Sequence, residues 1–322
     1  MPRHLVTGGA GFIGSHIARG LIKNGGEVRI LDNFSSGKRE NIEDIMHRIE
    51  LIEGDICDYK IVEKAVRDVD YVFHYAALPY VALSIEEPVK TVNVNNIGTI
   101  NLLEASRQTN VKKFIFASSS AIYGDTKTLP SPENLLPFPL SPYAITKLSC
   151  EYYCRFYYST YGLKTVCFRY FNVFGPNQNL KSVYGAVIPI FINSILNDKR
   201  PTIYGDGYQT RDFIYVENVV DINLLSLKID NIDGKVVNVC QGREINLFEI
   251  VDTINRILGK SVKPIFADRR PCDVHSSWGE NKKLKSVLEY DICVSFEEGI
   301  RKTVEWYRKQ KFPMDTDRNL YH

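Results

Sequence analysis

No apolar run in this sequence reaches the roughly 18 residues that a bilayer span needs. The amino terminus, MPRHLVTGG, enters a strand pattern without a charged segment followed by an apolar stretch, so no signal peptide is expected. Neither sign of charge dominates: 40 Lys and Arg against 38 Asp and Glu leave +2. That balance gives no electrostatic case for nucleic acid or a membrane surface as the main partner. The locally basic RKTVEWYRKQK near the carboxyl end carries apolar residues at helical spacing and reads as a solvated helix face. The seven cysteines are odd in number and show no CxxC spacing, so reduced thiols in the cytoplasm are expected. Cys150 and Cys154 share a helix face with no histidine near them in sequence, which favours packing over ligation; no metal is expected. Repeats and low-complexity segments are also missing.

What is present is an alternation. Short β-rich runs start at His4 (HLVTG), Val28 (VRIL), Ile49 (IELIEG), Asp70 (DYVFHYA), Lys113 (KFIFASS) and Thr165 (TVCFRYF). Helical stretches such as Phe12–Asn24, Tyr59–Arg67 and Asn95–Thr109 lie between them. Near-continuous apolar strands separated by amphipathic helices predict a parallel sheet covered on both faces. The expected fold class is therefore α/β, a Rossmann-type doubly wound sheet over residues 1–175. A smaller, interleaved α/β lobe over 176–322 follows, and residues 213–240 (RDFIYVENVVDINLLSL and KVVNV) are expected to rejoin the sheet.

LVTGGAGFIGSH places Gly8, Gly11 and Gly14 between the first strand and the first helix. Alone, three glycines read as a tight turn. In this position they let backbone approach a pyrophosphate at a helix N-terminus. Asp32 ends the second strand 18 residues beyond Gly14. A carboxylate there binds ribose hydroxyls and repels a 2′-phosphate, favouring NAD over NADP despite Lys38 and Arg39 nearby. Asp55, in GDICD, falls where an adenine edge would lie, or in a turn. Further on, LSPYAITK opens a helix with Ser-Pro and puts Tyr143 and Lys147 at i and i+4 on one face. A phenol of ordinary pKa near 10 is a poor base, and a nearby ammonium with an oxidised nicotinamide is expected to bring it towards neutrality. The hydroxyl cluster SSSAIYG, Ser118–Gly124, precedes this pair at a strand end.

TGGAGFIGSH, HYAA, SSSAIYGD, SPYAITK, RYFNVFGPNQ, YGDGYQTRDFIYV and RRPCDV occur in this order over essentially the whole chain. Together they resemble the extended short-chain dehydrogenase/reductase family of nucleotide-sugar enzymes, in its UDP-hexose 4-epimerase branch. The resemblance implies tightly bound NAD and a UDP-sugar in the C-terminal lobe, while the aromatic residues Tyr152, Tyr153, Phe156, Tyr157 and Tyr158 read as core or interface, so a homodimer through the Asn95–Thr109 and Tyr143–Tyr161 helices is expected. It makes Tyr143 the base, gives Lys147 the nicotinamide ribose, and gives Ser119 the sugar 4-hydroxyl. Cofactor contacts are implied at Phe12, Ile13, Asn33, Ser35, Ser36 and Gly37. Others fall at Ile56, Ala76, Ala77, Asn95, Ser118 and Tyr170. Substrate contacts are implied at Asn172, Val187, Tyr204, Arg211, Arg270 and Asp273. For Arg211 an ion pair with Asp212 or Asp206 is the competing reading. Ser277 falls at the family's gate beside the sugar C2 group, where a small residue leaves room for an N-acetyl group. Cys272 and Gly279-Glu280 depart from the family pattern, and LPYV after Ala77 lacks the lysine that some galactose epimerases carry. His74 reads as packed and hydrogen-bonded.

The expected reaction is C4 inversion through a transient 4-keto sugar, with both UDP-GlcNAc/UDP-GalNAc and UDP-Glc/UDP-Gal accepted. Nucleotide-sugar 4,6-dehydratases and decarboxylases of this family carry acids where this chain has Ser120 and Ala121, which disfavours those reactions. A UDP-glucuronate 4-epimerase has the same proton requirements and stays an alternative, as does a non-catalytic NAD-binding scaffold.

Overall fold

Strands and helices alternate as the apolar pattern predicts, up to the end of the sixth strand. The computed structural model of the protein describes residues 1–178, 187–269 and 274–310. In chain order come β1 (Arg3–Thr7), α1 (Phe12–Lys23), β2 (Glu27–Asp32), β3 (Ile49–Glu53), α2 (Tyr59–Val66) and β4 (Tyr71–His74). Then follow α3 (Val81–Glu86), α4 (Pro88–Val92), α5 (Gly98–Gln108), β5 (Lys113–Ser119), α6 (Pro142–Tyr161) and β6 (Thr165–Tyr170). The second half brings β7 (Asn172–Phe174), α7 (Val187–Leu196), β8 (Thr202–Tyr204), β9 (Thr210–Arg211), β10 (Phe213–Tyr215) and α8 (Val216–Ser226). It ends with β11 (Lys235–Val239), β12 (Ile245–Asn246), α9 (Leu247–Leu258), β13 (Ile265–Ala267), β14 (Ser276–Ser277), α10 (Lys282–Leu288) and α11 (Phe296–Lys309).

The central sheet has seven strands in the order β11-β6-β5-β4-β1-β2-β3. All its pairings are parallel. Of the 213–240 segment expected to rejoin the sheet, KVVNV lies in it as β11 beside β6, whereas Phe213–Tyr215 (β10) pairs with β7 in a separate two-stranded sheet. Successive residues feed opposite faces, as the period of two in a strand requires. Val6, Phe73 and Ile115 pack with Ile17 of α1 and Ile222 of α8, while their neighbours Leu5, Val72 and Phe114 pack with Leu102 of α5 and Cys150 and Cys154 of α6. Both thiols are fully buried, so packing is their role. Gly20 makes the α1–α8 contact close: a Cβ there would lie 2.4 Å from Val220 Cγ1.

The helix around Asn95 is interrupted where the sequence predicts one continuous element. Residues Asn93–Ile97 form a π turn between α4 and α5. The widened turn brings the Asn95 side chain inward, where it bonds both the N–H and the C=O of Leu78 and the Thr146 hydroxyl. By contrast α6 starts where Ser-Pro predicts: the Ser141 hydroxyl accepts from the Ala144 N–H, and Pro142 takes the first helical position. Gly162, at φ +74°, ends it in the left-handed conformation.

After β6 the chain builds a second core from Phe174, Phe191, Tyr215, Ile250, Ile300 and Tyr307. Short strand pairs frame it: β7 with β10, β8 with β13, and β9 between β12 and β14. The basic C-terminal helix α11 buries Phe296, Ile300, Val304 and Tyr307 along one stripe. Strand order reverses between β1 and β4, the switch point at which open parallel sheets place a crevice beyond the carboxyl ends of their strands.

Candidate active site

A cavity of about 720 Å³ runs along that carboxyl edge. It starts at Gly54, Asp55 and Ile56 beyond β3, passes the glycine loop, and reaches Ser119, Tyr143 and Lys147. From there it continues into the second lobe at Asn172, Val187, Tyr204 and Arg211.

The glycines divide the work between them. Gly8 sits at φ +67°, and a Cβ there would lie 2.6 Å from the Ala76 nitrogen, so only glycine lets the loop after β4 close on β1. A Cβ on Gly14 would lie 2.2 Å from the Gly8 carbonyl oxygen, which fixes α1 against the turn. Gly11 differs. A Cβ there would have one neighbour within 4 Å, the Gly8 oxygen at 3.1 Å, and the residue lines the cavity at the start of α1 with Phe12 and Ile13. This is a cradle that a methyl would fill, at a helix N-terminus whose N–H groups and dipole favour an anion. A dinucleotide pyrophosphate fits it.

Asp32 lies beyond the cradle. Its carboxylate accepts from the Ala10 N–H at 2.9 Å and the Phe34 N–H at 2.8 Å. Burial pushes the carboxyl up from its usual value while these bonds pull it down. A carboxylate oriented in this way retains lone pairs for two ribose hydroxyls and meets a 2′-phosphate with repulsion. Arg39 does not counter that repulsion, being paired with Glu53 and stacked 4.3 Å over the Phe34 ring. Asn33, Ser35, Ser36 and Gly37 line the same end. Asp55 is both a turn residue, accepting from the Cys57 N–H at 2.8 Å, and a lining residue.

At the reacting end, β5 delivers Ser119 and α6 delivers Tyr143 and Lys147. The Ser119 hydroxyl accepts from the Ala121 N–H at 3.1 Å and interacts with the Tyr143 phenol, pulling its pKa down. Burial is the larger effect and holds the phenol above its ordinary value. The expected activation by the lysine is therefore missing from the protein alone. Lys147 Nζ donates to the Ala117 carbonyl at 2.7 Å and lies 5.9 Å from the centre of the Tyr143 ring. Burial pulls this amine down to about 8, so it holds its proton weakly near neutrality. Beneath it His74 bonds the hydroxyls of Thr7 (2.7 Å) and Thr99 (2.8 Å), and burial lowers its pKa to about 3. It is the packed histidine the sequence suggests.

The structure places the implied contacts unequally. Ser118 lines the cavity, but its hydroxyl donates to Glu151 at 2.5 Å, because alternation along β5 turns it away from Ser119. Asn95 does not line the cavity; its amide is spent on Leu78 and Thr146. Ser277 is also outside the lining and sits at the rim, its strand β14 paired beside Arg211. Arg270 and Asp273 fall outside the described residues. Ala76, Ala77, Ile56, Tyr170 and the four substrate-lobe positions Asn172, Val187, Tyr204 and Arg211 do line the cavity. Arg211 donates to the Thr210 and His275 carbonyls, while the Asp212 carboxylate turns instead to the N–H groups of Gln241, Gly242 and Arg243.

Other lining residues went unread in the sequence, among them Tyr75, Phe171, Gln178, Phe191, Arg200 and Gln209. Tyr75 was within reach, since it is part of HYAA. Its hydroxyl bonds Tyr170 and Asn223, both at 2.8 Å. Arg200 carries no local signal. Its guanidinium is placed by the carbonyls of Lys263 and Pro264, more than 60 residues away.

Residues 4–240 match the model of the NAD dependent epimerase/dehydratase family. The chain is 40% identical over 306 residues to a putative UDP-glucose 4-epimerase of Methanocaldococcus jannaschii, covering 94% of this chain and 98% of that one. It is 33% identical to a UDP-N-acetyl-alpha-D-glucosaminuronate decarboxylase of Bacillus cytotoxicus, over 95% of this chain and 98% of that one. Among solved structures, the UDP-N-acetylglucosamine 4-epimerase from Methanobrevibacter ruminantium M1 superposes with a TM-score of 0.91 at 41% identity. That match covers 95% of this chain and 98% of the other.

The two glycines predict separable effects. Gly11→Ala keeps the fold and weakens NAD⁺ binding by roughly tenfold or more, about 1.4 kcal/mol. Gly14→Ala lowers stability by roughly 1–3 kcal/mol before any cofactor is added. Isothermal titration and urea unfolding check both, and a Gly11→Ala protein with wild-type NAD⁺ affinity contradicts the cradle.

Proposed function

The chain belongs to the NAD-dependent epimerase/dehydratase family, and on that premise we propose that it inverts C4 of a UDP-hexose. Its substrate pairs are UDP-GlcNAc/UDP-GalNAc and UDP-Glc/UDP-Gal. One observation carries this reading. Among the described residues lining the cavity, the carboxylates are Asp32 and Asp55. Both lie at the ribose and adenine end; even the nearer strand, β2, is three places from β5, about 14 Å at ordinary strand spacing. Around Tyr143 there are hydroxyls and an amine. A dehydratase must protonate a departing 6-hydroxyl and remove a C5 proton, and the side chains of Ser120 and Ala121 do neither at neutral pH. The same deficit argues against the decarboxylation performed by the 33% identical relative.

Bound NAD⁺ supplies a reversible hydride acceptor and a positive charge. The protein's own residues handle the proton. Tyr143 takes it from the sugar 4-hydroxyl and returns it to the same oxygen after the ring has turned over. Ser119 donates its single proton to the Tyr143 phenolate while the base is charged, and to the sugar 4-oxygen once the phenol has taken its proton. Lys147 holds the ribose next to the nicotinamide and, when protonated, adds a second positive charge near the phenol. The phenol's raised starting value makes these charges necessary, since burial alone would leave it protonated at pH 7. Arg211, Asn172, Val187 and Tyr204 hold the nucleoside diphosphate; a planar guanidinium suits its oxygens.

The helix face opposite the site is apolar and exposed. Tyr152, Phe156 and Ile145 on α6 are 60%, 47% and 54% exposed, and Val89 on the adjoining α4 is 74% exposed. A second copy of this chain is the proposed cover, pairing the two helices about a twofold axis.

Three outcomes are expected. In a panel of UDP-sugars followed by proton NMR, the wild-type enzyme interconverts the C4 epimers and releases neither water nor CO₂. Tyr143→Phe slows this by roughly 10²–10⁴-fold, and formation of a 4-keto-6-deoxy sugar or a pentose overturns the assignment. Ser277→Tyr loses the N-acetylated pair before the plain hexoses, as kcat/KM for the four sugars reports; equal losses exclude a gate at this rim position. Phe156→Glu with Tyr152→Glu shifts the mass in light scattering from dimer to monomer. A wild-type monomer removes the pairing.

A further inference from the structure

Behind the reacting hydroxyls lies a carboxylate that the scheme above does not use. Glu151 follows Lys147 by four residues, so Tyr143, Lys147 and Glu151 share one face of α6. It is only 5% exposed. Its Oε1 accepts from Ser118 Oγ at 2.5 Å and from Arg169 Nε at 2.9 Å, and its Oε2 accepts from Arg169 Nη2 at 2.7 Å. Arg169 stands on β6, where it also donates to the Tyr123 hydroxyl at 2.9 Å. Buried ion pairs are poor stabilisers compared with apolar packing of the same volume. This one also binds the residue next to Ser119 and neighbours Lys147, which points to a role in the site.

We propose that Glu151 is a positioning residue for the reaction. Its carboxylate ties the end of β5 that carries Ser119 to the helix that carries Tyr143 and Lys147, and its charge stands between the Lys147 ammonium and the Arg169 guanidinium. The kinetic part of this inference rests on the epimerase reading; the electrostatic part does not.

The groups facing Lys147 can be named from each packed element. α6 contributes Tyr143, Cys150, Cys154 and Glu151; β5 contributes the Ala117 carbonyl and the Phe116 ring; β4 contributes His74. Burial raises both thiols and lowers the histidine, so all three are neutral between about pH 7 and 9. Glu151, in its ion pair with Arg169, is the acidic side chain among these groups.

Burial pulls Lys147 from 10.5 down to about 8, and the Glu151 charge opposes it. Glu151→Gln therefore lowers the amine further. A base whose native pKa lies below its unfolded value costs stability as pH falls from the unfolded value to the native one. For wild type that loss ends near pH 8; for the variant it continues below.

The test is Tm against pH for the cofactor-free protein, from about pH 9 to about pH 7. The Tm gap between Glu151→Gln and wild type is expected to widen as pH falls, whereas a constant gap means a purely structural pair and overturns the electrostatic role. In the kinetics, the alkaline limb of kcat/KM moves acidward in the variant; an unmoved limb counts equally against it. If Glu151→Gln does not fold, Glu151→Asp keeps the charge with a shorter reach. Its Tm gap stays constant with pH, and a widening one overturns the proposal. Ser118→Ala leaves the ion pair whole and removes the tie, so kcat falls roughly tenfold with KM within about twofold. An unchanged kcat rejects the positioning of Ser119. A wild-type protein that interconverts no UDP-hexose defeats the epimerase reading and leaves the Tm comparison to judge Glu151.

Discussion

The cleft depends on how closely backbone approaches backbone where β1 and β4 end. Gly8 allows the Ala76 nitrogen to sit where its own side chain would stand, and Gly14 brings α1 onto the Gly8 carbonyl. These contacts place the start of α1 and the carboxyl ends of the strands around one crevice. If that approach were relaxed by a few tenths of an ångström, the cradle at Gly11 and the ribose acid Asp32, itself held by the Ala10 N–H, would move together.

The reacting end is organised by a different force. Here the protein buries charge-bearing groups side by side: Lys147, Glu151 and Arg169, with the Tyr143 phenol at the cavity surface. Burial raises the phenol and lowers the amine, so without further charge the preferred state is neutral tyrosine beside a weakly held proton. Phenolate formation then becomes conditional on what enters the site. His74, held neutral beneath them, adds no positive charge that would compete.

What the sequence made legible followed the reach of local rules. The strands, the Ser141–Pro142 helix start, the three-glycine turn and the Tyr143–Lys147 pair are all encoded within a few residues. The return of KVVNV to the sheet was legible from its short apolar strand pattern. Side-chain direction was not. Ser118 and Asn95 carry the right residue types for cofactor contacts, yet Glu151 and Leu78, distant in sequence, claim their polar groups. The π turn at Asn93–Ile97 has no local signature, since it exists to satisfy that tertiary bond. Arg200 joined the cavity only because the chain 63 residues later supplies carbonyls to aim it.

Within a superfold shared by several chemistries, the discriminating feature is subtractive. Redox at C4 is common to epimerases, dehydratases and decarboxylases, so the cofactor end cannot separate them. The difference lies in which proton transfers the reacting end can carry beyond the first. Expelling a hydroxyl requires an acid within hydrogen-bond reach of it, and the described lining near Tyr143 offers a serine, an amine and the phenol itself. On the proposed reading the phenol is committed to the 4-oxygen. Glu151, a buried carboxylate close by, has its oxygens occupied by Ser118 and Arg169 and lies outside the cavity lining. Locking that acid into an ion pair removes a competing proton donor from the neighbourhood while keeping its charge beside Lys147. On the proposed reading, the arrangement that positions the hydroxyls also restricts the chemistry to a proton taken and returned.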